Sequence, residues 1–210
     1  GKRDNRGMVV RKLALLIPAL AVAAMGQGLT RNVNVFIGTG GHGHTYPGAT
    51  VPFGMVQLSP DTYNVGWDWC SGYHTSDSSI MGFSHTHLSG TGVGDMLDVL
   101  LMPGTGEVKL EPGTKENPDA GYRSRFSHAD EKASPGYYSV LLKDYGVKAE
   151  LTATERAGLH RYTFPASESS HFVVDLAHAI LAKEGAAPRV ISAEMKVAGP
   201  DLIQIGRAHV

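Results

Sequence analysis

The amino-acid sequence predicts an all-β protein whose strands form an antiparallel β-sandwich. Short apolar stretches recur along the chain, and glycine, proline, asparagine and aspartate separate them at intervals typical of strands joined by turns. The chain holds 26 glycines in 210 residues, which suits a loop-rich β protein better than a helical one. Beyond residue 28 the sequence shows no long amphipathic helical pattern and no internal repeat. Regular turn signals between short strands favour two antiparallel sheets packed face to face.

Six stretches of sequence carry the strand pattern. Residues 147–154 are the clearest case, because apolar and polar side chains alternate there as in a strand with one buried face. Pro103 is expected to end one strand, and the turn residues Pro135 and Gly136 are expected to precede the strand that begins at Tyr137. The predicted strands are 51–58, 96–102, 137–143, 147–154, 159–164 and 172–176.

The N-terminal region has the pattern of an export signal. Met8 is followed by a short basic region, then by an apolar run over residues 13–24 that contains Pro18, and then by small residues suited to cleavage. We therefore predict a signal peptide over residues 8–28 and a translated leader over residues 1–7. The apolar run is too short to span a membrane readily as a helix. An N-terminal core helix is the alternative interpretation. The expected location is exported, in the periplasm, at the cell surface or in the medium of a bacterium.

Cysteine content and charge exclude several classes of protein. Cys70 is the only cysteine, so an internal disulfide is impossible and a cysteine-based metal site is disfavoured. An exported protein without disulfides suits a bacterial periplasm or surface. The formal net charge is −1, and no basic cluster indicates a nucleic-acid partner.

The C-terminal residues 205–210 read like the translation of a sequencing-adapter oligonucleotide, with chance similarity as the alternative. On this hypothesis the natural protein continues beyond residue 204. The predicted domain then covers residues 29–204 and is incomplete at its C-terminal end.

An aromatic motif is the strongest local signal of a binding surface. Trp67 and Trp69 flank Asp68, and Tyr73 and His74 follow within a few residues. A sugar ring has an apolar face and a belt of hydroxyl groups, which proteins match with an aromatic platform beside carboxylates and amides. The alternative is that both tryptophans pack in the core, as is common for so large a side chain. Glycines on both sides of the motif favour a loop, and so a ligand surface.

Two His-x-His pairs, His42 with His44 and His85 with His87, would each place two imidazoles on one face of an extended strand. Two such pairs could bind a metal ion. The first pair lacks the following glutamate of the β-barrel cupins, so hydrogen-bonding histidines that hold loops or contact a ligand are favoured.

The segment 38–43 is rich in glycine but is not a phosphate-binding loop, because it lacks the Gly-Lys-Ser/Thr ending. Its glycines either let backbone amides approach a ligand or form a plain tight turn.

Four aspartates are candidate carboxylates, but their linear spacing does not show that any two face each other across a glycosidic bond. They are Asp68, Asp77, Asp95 and Asp98.

Five long stretches resemble the N-terminal domain of glycoside hydrolase family 92, the bacterial exo-acting α-mannosidases. They are VNVFIGTGGHGHTYPGATVPFGMVQLSPDT, GWDWCSGYH, SDSSIMGFSHTHLSGTGVGD, EKASPGYYSV and YGVKAELTATERAGLHRYTFP. These strings are long and unusual, so the match is specific. The resemblance runs from about residue 32 to residue 178, is weaker from Leu181 onward, and is not expected to include the last residues.

The resemblance implies a two-domain glycosidase in which this β-sandwich precedes an (α/α)6 barrel. It implies removal of terminal mannose with inversion and a requirement for calcium. Inversion uses a carboxylic acid that protonates the leaving oxygen and a carboxylate that activates water on the opposite face. Both groups, and most calcium ligands, are expected on the barrel. No catalytic or metal-binding residue is therefore assigned in this chain, and the chain alone is expected to be inactive.

The resemblance also implies that this domain contacts a mannose-containing glycan, such as an N-glycan or yeast mannan, and packs against its own barrel. Either tryptophan of the aromatic motif could be the sugar platform. The positions carried over as substrate-binding are Gly40, Gly41, His42, Trp67, Asp68, Trp69, Cys70, Tyr73, His74, His85 and His87. Two alternatives stay open: a free-standing carbohydrate-binding module, and a metal-dependent β-barrel enzyme that uses the two His-x-His pairs.

Overall fold

A computed structural model of the chain describes residues 28–181, 183, 185–187 and 189–209. The predicted leader and residues 8–27 of the predicted signal peptide lie outside the described residues. The chain divides after Asn34 into two compact units. In the first unit, residues 28–30 form a helical turn. Among the described residues, no helix combines the length and apolar character needed to cross a membrane.

The second unit contains twelve strands within the described part of the chain. They are β1 (Ser59–Asp61), β2 (Ser79–Ile80), β3 (Gly82–Ser84), β4 (Leu100–Gly104), β5 (Ser124–Arg125), β6 (Lys132–Ser134), β7 (Tyr137–Leu142), β8 (Val147–Ala153), β9 (Gly158–Thr163), β10 (His171–Asp175), β11 (Val190–Gly199) and β12 (Leu202–His209). Three short 3₁₀ helices occur in the same residues, at Trp67–Trp69, Pro118–Ala120 and His128–Asp130.

Two four-stranded antiparallel sheets organise this unit. One has the order β1-β3-β4-β10, so that strands distant in sequence lie side by side. The other is a meander, β6-β7-β8-β9, in which each strand pairs with the next along the chain. β2 pairs with β5, and β11 with β12, as two-stranded ribbons.

The apolar core joins the two four-stranded sheets. Phe83, Leu100 and Met102 of the first sheet belong to the same buried cluster as Val140 and Leu151 of the meander. Burial of such side chains from both inner faces is what stabilises a sandwich. The predicted all-β, antiparallel sandwich is confirmed.

The last four predicted strands correspond to β7, β8, β9 and β10, each within about one residue, a normal uncertainty for element ends. The strand predicted over residues 51–58 was wrong. Phe53 has a φ of 58°, between a proline and a glycine, and the stretch turns instead of extending.

The strand predicted over residues 96–102 begins too early. Met96, Leu97 and Val99 have φ values of 68°, 65° and 55°, so the pairing starts only at Leu100. Pro103 lies inside β4 instead of ending it. β3 pairs with β4 only at Leu101, so one side of Pro103 behaves as a sheet edge, where a missing N–H is tolerated.

Residues 205–209 are part of β12 and pair with β11. This pairing does not bear on the origin of the C-terminal sequence, so the adapter hypothesis stays a prediction.

Candidate functional site

An open cleft of about 570 Å³ lies beside Trp67, within the size range of small-molecule sites. Three segments that are far apart in sequence form its walls. A parallel bridge between Val65 and Leu181 brings two of them together. The lining residues are Gly66, Trp67, Cys70, Gly92, Val93, Gly94, Asp95, Ile180, Leu181 and Arg189.

Trp67 presents an exposed aromatic ring at this cleft. The residue is 56% exposed, and three neighbours contact its ring. The imidazole of His44 meets the indole edge-on, with ring centroids 4.4 Å apart and planes at 78°, and the His42 ring lies 5.1 Å away. A Cβ atom on Gly92 would lie 2.5 Å from the indole Nε1, so only glycine allows the ring to sit there. Trp67 is therefore an accessible ring held by its neighbours.

Trp69 is held differently from Trp67. Its indole Nε1–H donates to Asp77 at 2.7 Å, and the Lys115 ammonium lies 3.8 Å from the ring centroid in a cation–π contact. Tyr63 packs edge-on against it at 5.4 Å. The only polar atom of Trp69 is thus satisfied inside the protein, and a lysine occupies part of its aromatic surface.

The glycine-rich loop is attached to the aromatic motif by two histidines. The Nδ1–H of His42 donates to Asp68 at 2.6 Å, and this hydrogen bond holds the pKa of Asp68 below its ordinary value. His74 donates from Nε2 to the carbonyl of Gly41 at 3.1 Å, while its Nδ1 accepts from the backbone N–H of Ser76 at 3.2 Å. The second contact fixes the tautomer that the first one requires.

Gly40 packs tightly, because a Cβ atom there would lie 2.6 Å from Thr75. Gly41 has a φ of 59° and open space around its Cα, so a left-handed turn explains this glycine without a ligand.

Two members of the predicted set lie mainly inside the protein. Tyr73 is buried, and its hydroxyl donates to Glu131 at 3.0 Å; burial, followed by the charge of Glu131, raises its pKa. Cys70 is buried at the base of the cleft, where its thiol donates to the carbonyl of Trp67 at 2.7 Å. Burial raises the pKa of this thiol, so the structure favours the neutral form.

His87 belongs to a buried ionic cluster. Its Nδ1–H donates to the carbonyl of Gln57 at 2.8 Å, and its Nε2–H donates to Asp61 at 2.7 Å. The second carboxylate oxygen of Asp61 accepts from His178 Nε2 at 2.8 Å. Burial alone would raise the pKa of Asp61, but the two imidazoles lower it to about 2. Ser84 lies 3.3 Å from the same His87 nitrogen that bonds Asp61, so the three do not form a nucleophile–base–orienter triad.

His85 faces a different partner from His87. Its Nδ1–H donates to the carbonyl of Val99 at 2.7 Å, and its Nε2 lies 3.2 Å from Nε2 of His160. Burial lowers the pKa of both rings, to about 3 for His160. Within the part of the chain that the structure describes, no group of three or more His, Cys, Asp or Glu side chains could hold a metal ion.

The buried cluster around Asp61 positions one wall of the cleft. Two residues after His178, Ile180 donates its N–H to Met96 at 3.3 Å, and Leu181 donates to Asn64 at 2.7 Å. Both Ile180 and Leu181 line the cleft. The cleft wall is therefore built on polar contacts between segments that are far apart in the sequence.

The structure thus separates the eleven predicted residues into groups. Two line the cleft, Trp67 and Cys70. Five form the adjoining loop contacts: Gly40, Gly41, His42, Asp68 and His74. Four are held by internal partners: Trp69, Tyr73, His85 and His87. Their assignment as substrate contacts stays a prediction.

Sequence reasoning missed part of the cleft. Asp95 was one of four candidate carboxylates, and the structure places it at the cleft, 2.6 Å from Arg189. The glycine spacing over residues 90–94 was a usable signal for Gly92. Arg189, Ile180 and Leu181 had no local signal, because only the fold brings them to Trp67.

Three comparisons with known proteins agree with this architecture. The family model for the glycosyl hydrolase family 92 N-terminal domain matches residues 32–207. A family 92 α-mannosidase from Bacteroides thetaiotaomicron, solved in complex with mannoimidazole, is 55% identical with a TM-score of 0.71, over 72% of this chain and 20% of that protein. A family 92 inverting mannosidase from Bacteroides thetaiotaomicron VPI-5482 is 35% identical with a TM-score of 0.51, over 64% of this chain and 17% of that protein.

A protein of Arthroderma benhamiae described as an uncharacterized secreted glycosidase is 35% identical over 163 residues, which is 73% of this chain and 20% of that protein. The chain therefore spans about a fifth of the length of these relatives. The resemblance noted in the sequence is confirmed. The family match runs to residue 207, so the expectation that the last residues lie outside the family was wrong as far as that residue.

Proposed function

Since the chain belongs to glycosyl hydrolase family 92 and carries its N-terminal domain, we propose that it is the substrate-contacting domain of an exported exo-α-mannosidase. The whole enzyme would hydrolyse terminal mannose from glycans such as N-glycans, with inversion at the anomeric carbon. The α-mannosidase and the inverting mannosidase among its structural relatives support this reaction. The sequence relative described as a secreted glycosidase supports export.

The exposed ring of Trp67 at the cleft is the observation that carries the proposal. A pyranose stacks its apolar C–H face on an aromatic ring, and an indole that is fixed before binding loses little freedom on contact. The Asp95–Arg189 ion pair supplies an acceptor and donors in the same cleft. Vicinal hydroxyls of a sugar would exchange hydrogen bonds with such a pair.

The two tryptophans have different proposed roles. Trp67 is the sugar platform, because its ring is accessible and lines the cleft. Trp69 is a structural support, because Asp77 and Lys115 already occupy its N–H and part of its ring.

The chemical step is proposed to take place on residues outside this chain. Inversion needs two carboxyl groups about 6.5–9.5 Å apart on opposite sides of the bond. Asp95 is the one carboxylate among the lining residues, and Arg189 neutralises it. We assign the acid and the base to the proposed (α/α)6 barrel. The described residues offer no metal-binding cluster, and the ligands of the expected calcium ion are proposed to lie mainly on the same barrel.

The barrel is also the proposed partner of an exposed apolar loop. Phe53 is fully exposed on a backbone with a φ of 58°, and Met55 beside it is 68% exposed. Displaying an aromatic side chain on strained backbone is costly unless something covers it. Contact with the rest of the enzyme would remove this cost.

The test is a pair of alanine variants in the full-length enzyme. Trp67→Ala is expected to lower kcat/KM about tenfold to a hundredfold, the loss of about 1–3 kcal/mol typical of a ring-stacking contact, with Tm almost unchanged. Trp69→Ala is expected to lower Tm strongly, because it removes a packed and hydrogen-bonded ring.

Leu159→Ala is the matched control, since Leu159 is 65% exposed on β9 and is not a cleft residue. It should leave kcat/KM and Tm within experimental error. A fully active Trp67→Ala enzyme would remove the platform assignment.

A further inference from the structure

We propose that His44 is a positioning residue that holds the indole of Trp67 at the cleft. The proposal rests on the proposed function of Trp67 and adds a residue that acts through it. Three observations on His44 carry it: an unpartnered nitrogen, a left-handed backbone and an edge-on ring contact.

His44 is a buried histidine with an unpartnered nitrogen. Its side chain is 8% exposed, and its Nε2 has no hydrogen-bond partner in the described structure. By contrast, His74, His87 and His178 each use a ring nitrogen in a hydrogen bond. Leaving a buried polar atom unpaired destabilises a fold, so folding stability alone does not favour histidine at this position.

The backbone at His44 also lies in a sparsely populated region. Its φ of 54° is left-handed, which a β-carbon disfavours, although histidine adopts it more often than most residues other than glycine. Two hydrogen bonds hold the chain on either side of this conformation. The carbonyl of His44 accepts from the N–H of Gly90 at 2.7 Å, and the carbonyl of Thr45 accepts from the hydroxyl of Ser71 at 3.1 Å.

The ring contact with Trp67 supplies a reason for both costs. The centroids of the two rings are 4.4 Å apart at 78°, close enough for an imidazole N–H to point at the indole π system. The unpartnered Nε2 of a neutral imidazole can supply this donor. Strain and an unpaired group at one residue, next to an exposed aromatic ring, are the pattern expected of a site selected for function over stability.

The first test measures stability and activity together in the full-length enzyme. His44→Asn removes the ring and suits the left-handed backbone. It is expected to leave Tm unchanged or to raise it, while kcat/KM for a mannose-terminated oligosaccharide falls about two- to fivefold, as loss of a weak N–H···π contact predicts. A residue with a merely structural role would lower Tm instead. His44→Gly serves as the second variant if His44→Asn does not fold.

The second test asks whether His44 acts through Trp67. The effect of His44→Asn on kcat/KM is expected to disappear in a Trp67→Ala background. An equal loss in both backgrounds would show that His44 acts independently and would overturn the proposal. If Trp67→Ala is itself fully active, it is the platform assignment that fails, which is a different result.

The third readout does not depend on sugar binding. In enzyme labelled with 5-fluorotryptophan, the ¹⁹F signal of Trp67 is identified as the one missing from Trp67→Phe. His44→Asn is expected to shift and broaden this signal, because the ring loses its support. The control is His171→Asn, a histidine on β10 whose Nδ1 donates to the carbonyl of Ser169, and it should leave the signal unchanged. An unchanged Trp67 signal in His44→Asn would overturn the proposal.

Discussion

The segment of residues 36–99 and the meander of residues 132–163 are held together by different interactions. In the meander, β6 to β9 pair in sequence order, and the buried side chains of β7 and β8 are mainly apolar. The segment 36–99 has only three short strands, β1, β2 and β3. Its buried side chains include Asp61, His87 and Ser84, which are joined by hydrogen bonds.

The two regions are therefore expected to respond differently to substitution. In a meander held by apolar burial, buried side chains can be truncated one at a time. Each truncation lowers the free energy of unfolding by an amount that depends on the volume removed. A buried ionic network fails as a unit, since losing one member leaves the others desolvated and unpaired. The cleft is attached to the network, so its walls depend on contacts that are individually hard to replace.

The largest expected effect is from Asp61→Asn. The amide keeps the shape of the carboxyl group, but its NH₂ would face an imidazole N–H, and the charge that both His87 and His178 contact would be lost. Breaking such a buried pair costs about 3–5 kcal/mol. Chemical denaturation should show this loss, and hydrogen exchange should show faster opening of residues 59–99 than of the meander.

Asp130→Asn is the control for that comparison. The Asp130 side chain makes a long, exposed ion pair with Lys143 at 3.8 Å, and removal of its charge should change the free energy of unfolding by less than about 0.5 kcal/mol. If Asp61→Asn lowered hydrogen-exchange protection equally in residues 59–99 and in the meander, the two regions would not be stabilised separately.

Acid should weaken the ionic region selectively. The folded-state pKa of Asp61 is about 2, below its ordinary value of 3.8. A lowered carboxyl pKa stabilises the fold above the unfolded-state pKa, and this contribution is lost as the pH falls through the folded-state value. Between about pH 5 and pH 2 the protein should therefore lose about 2 kcal/mol from this group. Urea unfolding at several pH values should show the gap between wild type and Asp61→Asn narrowing as the pH falls; parallel curves would contradict the assignment.

A smaller effect is expected from Lys115→Met. The ammonium pairs with Asp77 at 3.0 Å and lies over the rings of Trp69 and Tyr63. Removing the ammonium should lower the free energy of unfolding by about 1 kcal/mol, and Trp69 should lose one of its contacts. The free energy of unfolding measures the first effect, and the ¹⁹F signal of Trp69 measures the second. Lys143→Met, at an exposed pair, is the matched control and should change neither.

The sequence predicted the elements whose signal is local. Alternation in residues 147–154 and the turn before Tyr137 identified β8 and β7, because a strand with one buried face requires that period. The same approach failed at residues 51–58 and 96–99. Apolar content there indicated strands, but left-handed residues such as Phe53 and Leu97 turn the chain, and a composition pattern does not reveal φ.

The family could be identified from the sequence, since the long matching strings are contiguous residues. Which tryptophan is accessible depends on the packing of the whole fold, because Lys115 lies over the Trp69 ring and Asp77 accepts its N–H, whereas Trp67 faces the open cleft. Only the tertiary structure brings Arg189 to Asp95 and His178 to Asp61, over 94 and 117 positions of sequence. Side-chain contacts at such separations follow from how the sheets pack, and no local pattern encodes them.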